Sequence, residues 1–402
     1  MVPSGTDLSN EVSLRNRSDL LRFCCEICTA DGNTARRLYA SRKESIDWPA
    51  LVDIAREFRL AMLLYRALTS HLAEFVDPTA MEVLRKLYLE NQARCLEMTA
   101  ELQHVLDRLA AEQIPVIAFK GPVFGAQLYG DVALRVYADL DVLVRECDVA
   151  RVTRLMLDAG YRFRMNLSWE ISFERDTSRS VDVHWVIAET MHQFPLTADE
   201  LWARRSSVTL AGTEVAALCV EDTLLTICFN GLTEDWQRYD RIADVAQLMR
   251  ASAGVDWSKF LEMCRRHGCE RLVLLGLHLA REVFRAELPE PIEKRLRVHR
   301  RAIAAAGYEI DDFTRFAITS TDRRQGFDAW RFLLRMRERQ RERIPYYQSI
   351  AYGFFNPKDD DAPWQRMSRQ VLHAVLRIPL LGIKHGLRVI GHANLQEPGN
   401  RP

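Results

Sequence analysis

The sequence predicts an α+β protein, mostly helical, in which a small mixed sheet core is flanked by N- and C-terminal helical units. Through the first hundred or so residues, apolar side chains recur at i, i+3, i+4 and i+7, as in LVDIAREFRLAMLLYRAL and AMEVLRKLYLENQARCLEMTAELQHVLDRLAAEQ. That is the period of an amphipathic helix. Short apolar or alternating runs closed by turn residues follow between residues 115 and 185, and they read as strands. From about Leu218 onward the helical period returns. At 402 residues and 48% hydrophobic side chains, the chain is long enough to bury a sizeable core and carries the composition of a folded protein.

Each element follows from its local pattern. No glycine interrupts the two N-terminal stretches quoted above. At Ile114-Pro115 the pattern changes to PVIAFKG, a buried strand entering a tight turn. A second strand is expected from Leu140 to Val144, then a helix over VARVTRLMLDAGY that stops at Gly160, and a third strand in SVDVHWVI. The later helices are EDTLLTICFNGL, RIADVAQLMRA, WSKFLEMCRRHG and ERLVLLGLHLAREVF. Residues 323 to 343 hold eight arginines against Asp328, Glu338 and Glu342, a local charge of 8 − 3 = +5, and an Arg-rich helix is expected from Arg331 to Arg343. An acidic, turn-rich PKDDDAP precedes a basic amphipathic tail that Pro379 and Gly382 interrupt. These shifts divide the chain into an N-terminal helical region (1–112), a sheet core (113–215), a helical domain (216–322) and a basic helical C-terminal region (323–402).

Composition bounds the function. Lys+Arg and Asp+Glu both number 55, so no global basic field exists to bind nucleic acid, and any polyanion site is a local patch. The N-terminal segment lacks the apolar core of a secretory signal, and no stretch approaches the roughly 18 apolar residues of a membrane span, so a cytoplasmic location without a transmembrane segment is expected. Nine cysteines, scattered through apolar segments, fit reduced buried thiols. The CxxC of Cys25 and Cys28, and the set Cys264, His267 and Cys269, fall in helical patterns with spacing unsuited to a zinc knuckle.

The residues that carry chemistry lie between Lys120 and Trp185. Asp139 and Asp141 stand two apart in ADLDVLV, and a strand's period of two puts both carboxylates on one face. Two carboxylates held together repel unless a cation lies between them, and oxygen donors at this spacing suit magnesium. Asp182, between Val181 and Val183, supplies a third carboxylate if its strand lies beside the first. Three such groups form a two-metal site that can clamp the attacking and leaving oxygens of a phosphoryl or nucleotidyl transfer. Lys120 and the Gly121 turn offer a cation and backbone N–H groups for a triphosphate, and Arg135 lies four residues before Asp139. His184 shares a strand face with Asp182 and is expected either to touch an acceptor or metal or to be a satisfied, half-buried histidine.

Taken in order, these residues resemble the nucleotidyltransferase superfamily with the DNA polymerase beta type of fold, and more narrowly a largely uncharacterised bacterial family of stand-alone nucleotidyltransferases. The resemblance rests on Lys120-Gly121, Tyr129-Gly130-Asp131, Arg135, Asp139-Leu140-Asp141 and Asp182-Val183-His184-Trp185. It continues in Glu221-Asp222-Thr223-Leu224-Leu225 and in Trp236, Arg238 and Asp244, covering roughly residues 60 to 290. Pro122 follows the turn glycine and removes one N–H, and Asn230 stands where the family often has histidine.

The resemblance implies an enzyme that moves an NMP from an NTP to a hydroxyl or phosphate acceptor with Mg2+, or Mn2+, held by Asp139, Asp141 and Asp182. Lys120, Gly121 and Arg135 would bind the nucleotide, and His184 and Arg238 would face the acceptor. RNA, protein and small molecules are all open as acceptors, and the basic C-terminal region offers RNA or a membrane surface a contact. The alternative is a catalytically inactive nucleotide-binding or scaffold protein of the same fold.

Overall fold

The computed structural model describes residues 5–176, 179–188, 194–251, 255–304, 327–339 and 343–344. The chain divides into two units, Met1–Glu342 and Arg343–Pro402, and the description that follows is of the first.

Five helices open it: α1 (Gly5–Thr29), α2 (Gly32–Ala40), α3 (Trp48–Glu57), α4 (Ala61–His71) and α5 (Pro78–Ala111). Asp31, Asp47 and Asp77 precede α2, α3 and α5, and each side chain accepts an N–H from the first turn. Pro49 and Pro78 occupy first-turn positions, where the missing N–H costs nothing. Uninterrupted by glycine, α5 runs 34 residues, about 50 Å at the helical rise.

A seven-stranded mixed sheet follows, in the order β3-β4-β5-β2-β1-β7-β6. The three expected strands, β1 (Val116–Phe119), β2 (Asp139–Val144) and β5 (Arg179–His184), are its centre, with β1 antiparallel and β5 parallel to β2. Four further strands widen it: β3 (Arg162–Asn166) and β4 (Glu170–Asp176) on one side, β7 (Thr213–Ala217) and β6 (Ser206–Leu210) on the other. The local pattern hides these four because they lie toward the edges. All five residues of β3 are exposed, and the β6–β7 hairpin turns at Ala211-Gly212, both at positive φ, without the usual Asn-Gly signal.

The period of two sorts each central strand between two cores. Ala118, Leu140, Val142, Val144, Val181 and Val183 pack with Met98, Leu102, Val105 and Leu109 of α5. Ile117, Phe119 and Leu143 instead join the larger core that holds the helices. Asp139 and Asp141 share their parity with Leu143, so both stand on the face turned away from α5.

Short helical turns link the strands: α6 (Gly121–Phe124) runs on into a π turn to Tyr129, and α7 (Val149–Asp158) is followed, as expected, by Gly160 at φ 84°. After α8 (Ala198–Arg204) and the β6–β7 hairpin come α9 (Val220–Thr233), α10 (Tyr239–Ala251), α11 (Trp257–His267) and α12 (Glu270–Phe284), the four expected helices. Next in the described chain are α13 (Glu290–Ala304) and α14 (Phe327–Met336). Leu21, Leu64, Phe229, Leu274 and Phe284 share one core, so the N-terminal and later helices pack together.

One expectation is corrected. The Arg-rich helix does not run from Arg331 to Arg343: α14 ends at Met336, and residues 337–339 are not helical. The cause is packing, since Phe332, Met336 and Arg337 are buried and the Arg337 guanidinium lies 5.8 Å from the Phe229 ring centroid. Glu338 Oε1 accepts the Arg271 N–H at 2.6 Å, and Arg339 Nη2 donates to the Arg265 carbonyl at 3.2 Å. The PKDDDAP segment and the basic tail lie outside the described residues. Among the described residues no helix is long and apolar enough to cross a membrane. All nine cysteines are free thiols, seven of them buried.

Candidate metal and nucleotide site

The turn after β1 begins with strain. Lys120 sits at φ 56°, ψ −153°, a region that glycine alone occupies comfortably, and Gly121 follows at φ 38°. Gly121 cannot be replaced without movement, because a Cβ there would lie 3.2 Å from the Asp139 carbonyl oxygen of the neighbouring strand. The pair of left-handed residues turns the chain sharply and sends the Lys120 side chain across β2, where Nζ meets Asp141 Oδ1 at 2.6 Å.

Register then builds the acidic face. Phe119, Asp141, Asp182 and Ser172 stand opposite one another across β1, β2, β5 and β4. Leu143, His184 and Glu170 form the next row, and Asp139 pairs with Ser180 in the row before. Asp141 is buried, and its Oδ1 also lies 3.0 Å from His184 Nε2. His184 is 2% exposed, packs edge-on against the Phe119 ring, and has Nδ1 3.2 Å from Glu170 Oε2, out of line for a hydrogen bond.

The electrostatics separate the carboxylates. Burial alone would push Asp141 up, but Lys120 and the His184 hydrogen bond outweigh it and hold the carboxyl at about 2. Asp182 moves the other way, to about 6, because burial and the Asp141 charge outweigh the Ser172 hydrogen bond. Asp139 is raised by burial and Asp141, with Lys120 opposing. Burial would lower the Lys120 ammonium, yet the Asp141 carboxylate keeps it above its ordinary value.

Asp141, Asp182 and His184 each offer a ligand atom within 4.8 Å of the others, the only such set of three His, Cys, Asp or Glu groups among the described residues. Asp141 Oδ2 and Asp182 Oδ1 are buried without a hydrogen-bond partner. A buried carboxylate oxygen left bare is costly, and a divalent cation is the partner that satisfies two at once. The donor set therefore fits a metal ion. As their spacing indicates, neither cysteine grouping forms a ligand cluster among the described residues, and Cys25, Cys28, Cys264 and Cys269 are buried.

The remaining expected residues take other places. Arg135 is buried: its Nε and Nη2 grip Asp244 at 2.7–3.1 Å, Nη1 donates to the Gly121 carbonyl at 3.1 Å, and the guanidinium faces the turn from beneath. Arg238 binds Asp240, with Nη2 at 2.5 Å from Oδ2, near the start of α10. Ser172 and Glu170 escaped the sequence reading, although their alternation in β4 with Ile171 and Phe173 is the signal that would have found them. Arg241 was also missed; its charge acts on Asp139 and Lys120, and only α10's packing brings it there.

A mixed sheet whose central strands present an aspartate row on the face turned away from α5 is the core of the DNA polymerase beta-like nucleotidyltransferases. Residues 44–285 match the family described as "Uncharacterised nucleotidyltransferase", and the chain belongs to that family. No curated protein matches. Among solved structures, the antibiotic-resistance factor ANT(2'')-Ia is similar at a TM-score of 0.29 and 15% identity, over 53% of this chain and 98% of that one.

Proposed function

We propose that the protein transfers a nucleoside monophosphate from an NTP to a hydroxyl or phosphate acceptor, using divalent ions held by Asp139, Asp141 and Asp182. The observation that carries this reading is the pair of bare buried oxygens, Asp141 Oδ2 and Asp182 Oδ1, on residues opposite one another in β2 and β5. Bound there, Mg2+ or Mn2+ would neutralise phosphate charge and lower the pKa of the acceptor hydroxyl. The all-oxygen set suits Mg2+, and the His184 imidazole beside it also admits Mn2+.

The chain's own groups divide the remaining work. Asp182, held at about 6, is matched to taking the acceptor proton near neutral pH. Lys120 offsets the negative charge that builds toward the leaving group. His184 fixes the rotamer of Asp141, and Arg135 acts as a positioning residue by holding the Gly121 carbonyl and with it the strained turn. Incubation with each α-labelled NTP, Mg2+ or Mn2+, and a cell lysate tests the reading: label should appear in RNA, protein or a small molecule. No transfer with any NTP would overturn it. A second reading, nucleotide binding without turnover, is favoured by one observation, the Lys120 ammonium 2.6 Å from Asp141 in the position of a competing cation. Stoichiometric NTP binding without label transfer would select it.

A further inference from the structure

Beyond the acidic row, three guanidiniums from two parts of the chain share two carboxylates. Arg59 comes from the turn between α3 and α4, at φ 61°, while Arg238 and Arg241 flank the start of α10. Asp240 Oδ2 lies 3.3 Å from Arg59 Nε and 2.5 Å from Arg238 Nη2. Glu234 lies 3.9 Å from Arg238 Nε and 3.5 Å from Arg241 Nη2. Side-chain exposures of 37%, 29% and 12% for Arg59, Arg238 and Arg241 leave the group open to solvent at one end. Burial and then the Arg238 charge depress the Arg59 guanidinium, and its Nε is buried with no hydrogen bond in line. Glu234 and Asp240 offset two of the three guanidiniums, and the 3 − 2 = +1 that remains is the charge a phosphate group would complement.

The group abuts the turn and the acidic row. Arg59 Nη2 donates at 2.8 Å to the carbonyl of Val136, three residues before Asp139. Arg241 and Asp244 are one turn apart on the same side of α10, and Asp244 grips Arg135, whose Nη1 reaches the Gly121 carbonyl. The loop that delivers Arg238 is held in place at some cost. Asp235 and Trp236 stand at φ 55° and 51°, and the Trp236 ring fills the space over Gly231 and Gly276, where a Cβ would come within 2.5 and 2.8 Å of it. Residues at positive φ thus fix the backbone at both places that present these arginines.

We propose that Arg59, Arg238 and Arg241 seat the β- and γ-phosphates of the nucleotide, so that the departing pyrophosphate is held from outside the sheet. This rests on the nucleotidyl-transfer reading, and it moves Arg238 from the acceptor to the polyphosphate. Asp240 and Glu234 hold the Nε and Nη2 edges of Arg238 and Arg241, so the phosphate oxygens would be met by the remaining N–H groups of these planar cations.

The test is calorimetric titration of the full chain with inorganic tripolyphosphate, which carries no base or sugar, and with orthophosphate as control. Arg241→Gln and Arg238→Gln should each weaken tripolyphosphate binding roughly tenfold or more and leave orthophosphate binding unchanged, with folding checked by circular dichroism. Arg241→Lys should recover part of the affinity. If Arg241→Gln fails to fold, Arg238→Gln and Arg59→Gln carry the test. Unchanged tripolyphosphate affinity in the folded variants overturns the proposal, as does an equal loss for both probes. Retained label transfer by the wild type beside unchanged polyphosphate affinity in the variants sinks this inference alone. If the wild type binds neither NTP nor tripolyphosphate, the nucleotidyl-transfer reading falls with it.

Discussion

Asp141 and Asp244 are two buried aspartates, each held by a cation, and they differ in how far that cation satisfies them. Asp244 spends both oxygens: Oδ1 takes the Tyr129 hydroxyl at 3.0 Å and Arg135 Nε at 3.0 Å, and Oδ2 takes Arg135 Nη2 at 2.7 Å. Asp141 crowds Lys120 and His184 onto Oδ1 and leaves Oδ2 bare beside a second, under-satisfied carboxylate. The saturated pair ties α10 to the π turn after α6 and to the Gly121 carbonyl, and it has no acceptor capacity left for a ligand. The unsaturated pair bears an avoidable cost, and that cost marks it as a place kept for something that binds.

The largest expected effect breaks the comparison at Asp141. Asp141→Asn or Asp139→Asn should reduce label transfer by roughly a thousandfold or more, with circular dichroism close to that of the wild type. Near-native activity in either variant would remove the metal assignment. At the other pole, Asp244→Ala strands the Arg135 guanidinium in the interior, and urea unfolding should register a loss of about 3–5 kcal/mol. A loss near zero would mean that the two pairs do not differ in kind.

A third measurement sharpens the contrast through pH. Asp182 has a folded pKa of about 6, above its unfolded value, so its contribution to stability is complete below the ordinary carboxyl range and is lost as pH rises through 6. Divalent ions need the ionised form. The rise in melting temperature on adding Mn2+ should therefore be small at pH 5 and grow by several degrees, roughly, by pH 7. Asp182→Asn should flatten that dependence, and a flat profile in the wild type would take Asp182 out of the ligand set. The smallest effect sets the solvent limit: Glu82→Gln, which removes the exposed partner of Arg85 on α5, should leave the melting temperature unchanged.

What the sequence discloses follows from the range of the interaction. Asp139, Asp141, Asp182 and His184 are legible because strand parity is a local property, written in ADLDVLV and SVDVHW themselves. Glu170 and Ser172 join them only through the β4–β5 register, and Arg59 and Arg241 only through helix packing. Arg135 misleads for the same reason. Its place four residues before Asp139 suggests a phosphate contact, but its partner is Asp244, 109 residues later. The Arg331–Arg343 stretch misleads in another way, since its charge count is visible in sequence while the apolar face that ends α14 at Met336 is a tertiary matter.

The parity of β2 has one more consequence. Leu140, Val142 and Val144 answer to the volume available against α5, whereas Asp139 and Asp141 answer to charge, so neighbouring residues of one six-residue strand meet unrelated physical demands. A volume change at Leu140, Val142 or Val144 therefore acts on packing against α5 rather than on the acidic face. A one-residue insertion or deletion within it, by contrast, would turn carboxylates into the core and leucine toward the face that holds Asp182 and His184, and so could not be tolerated by degrees.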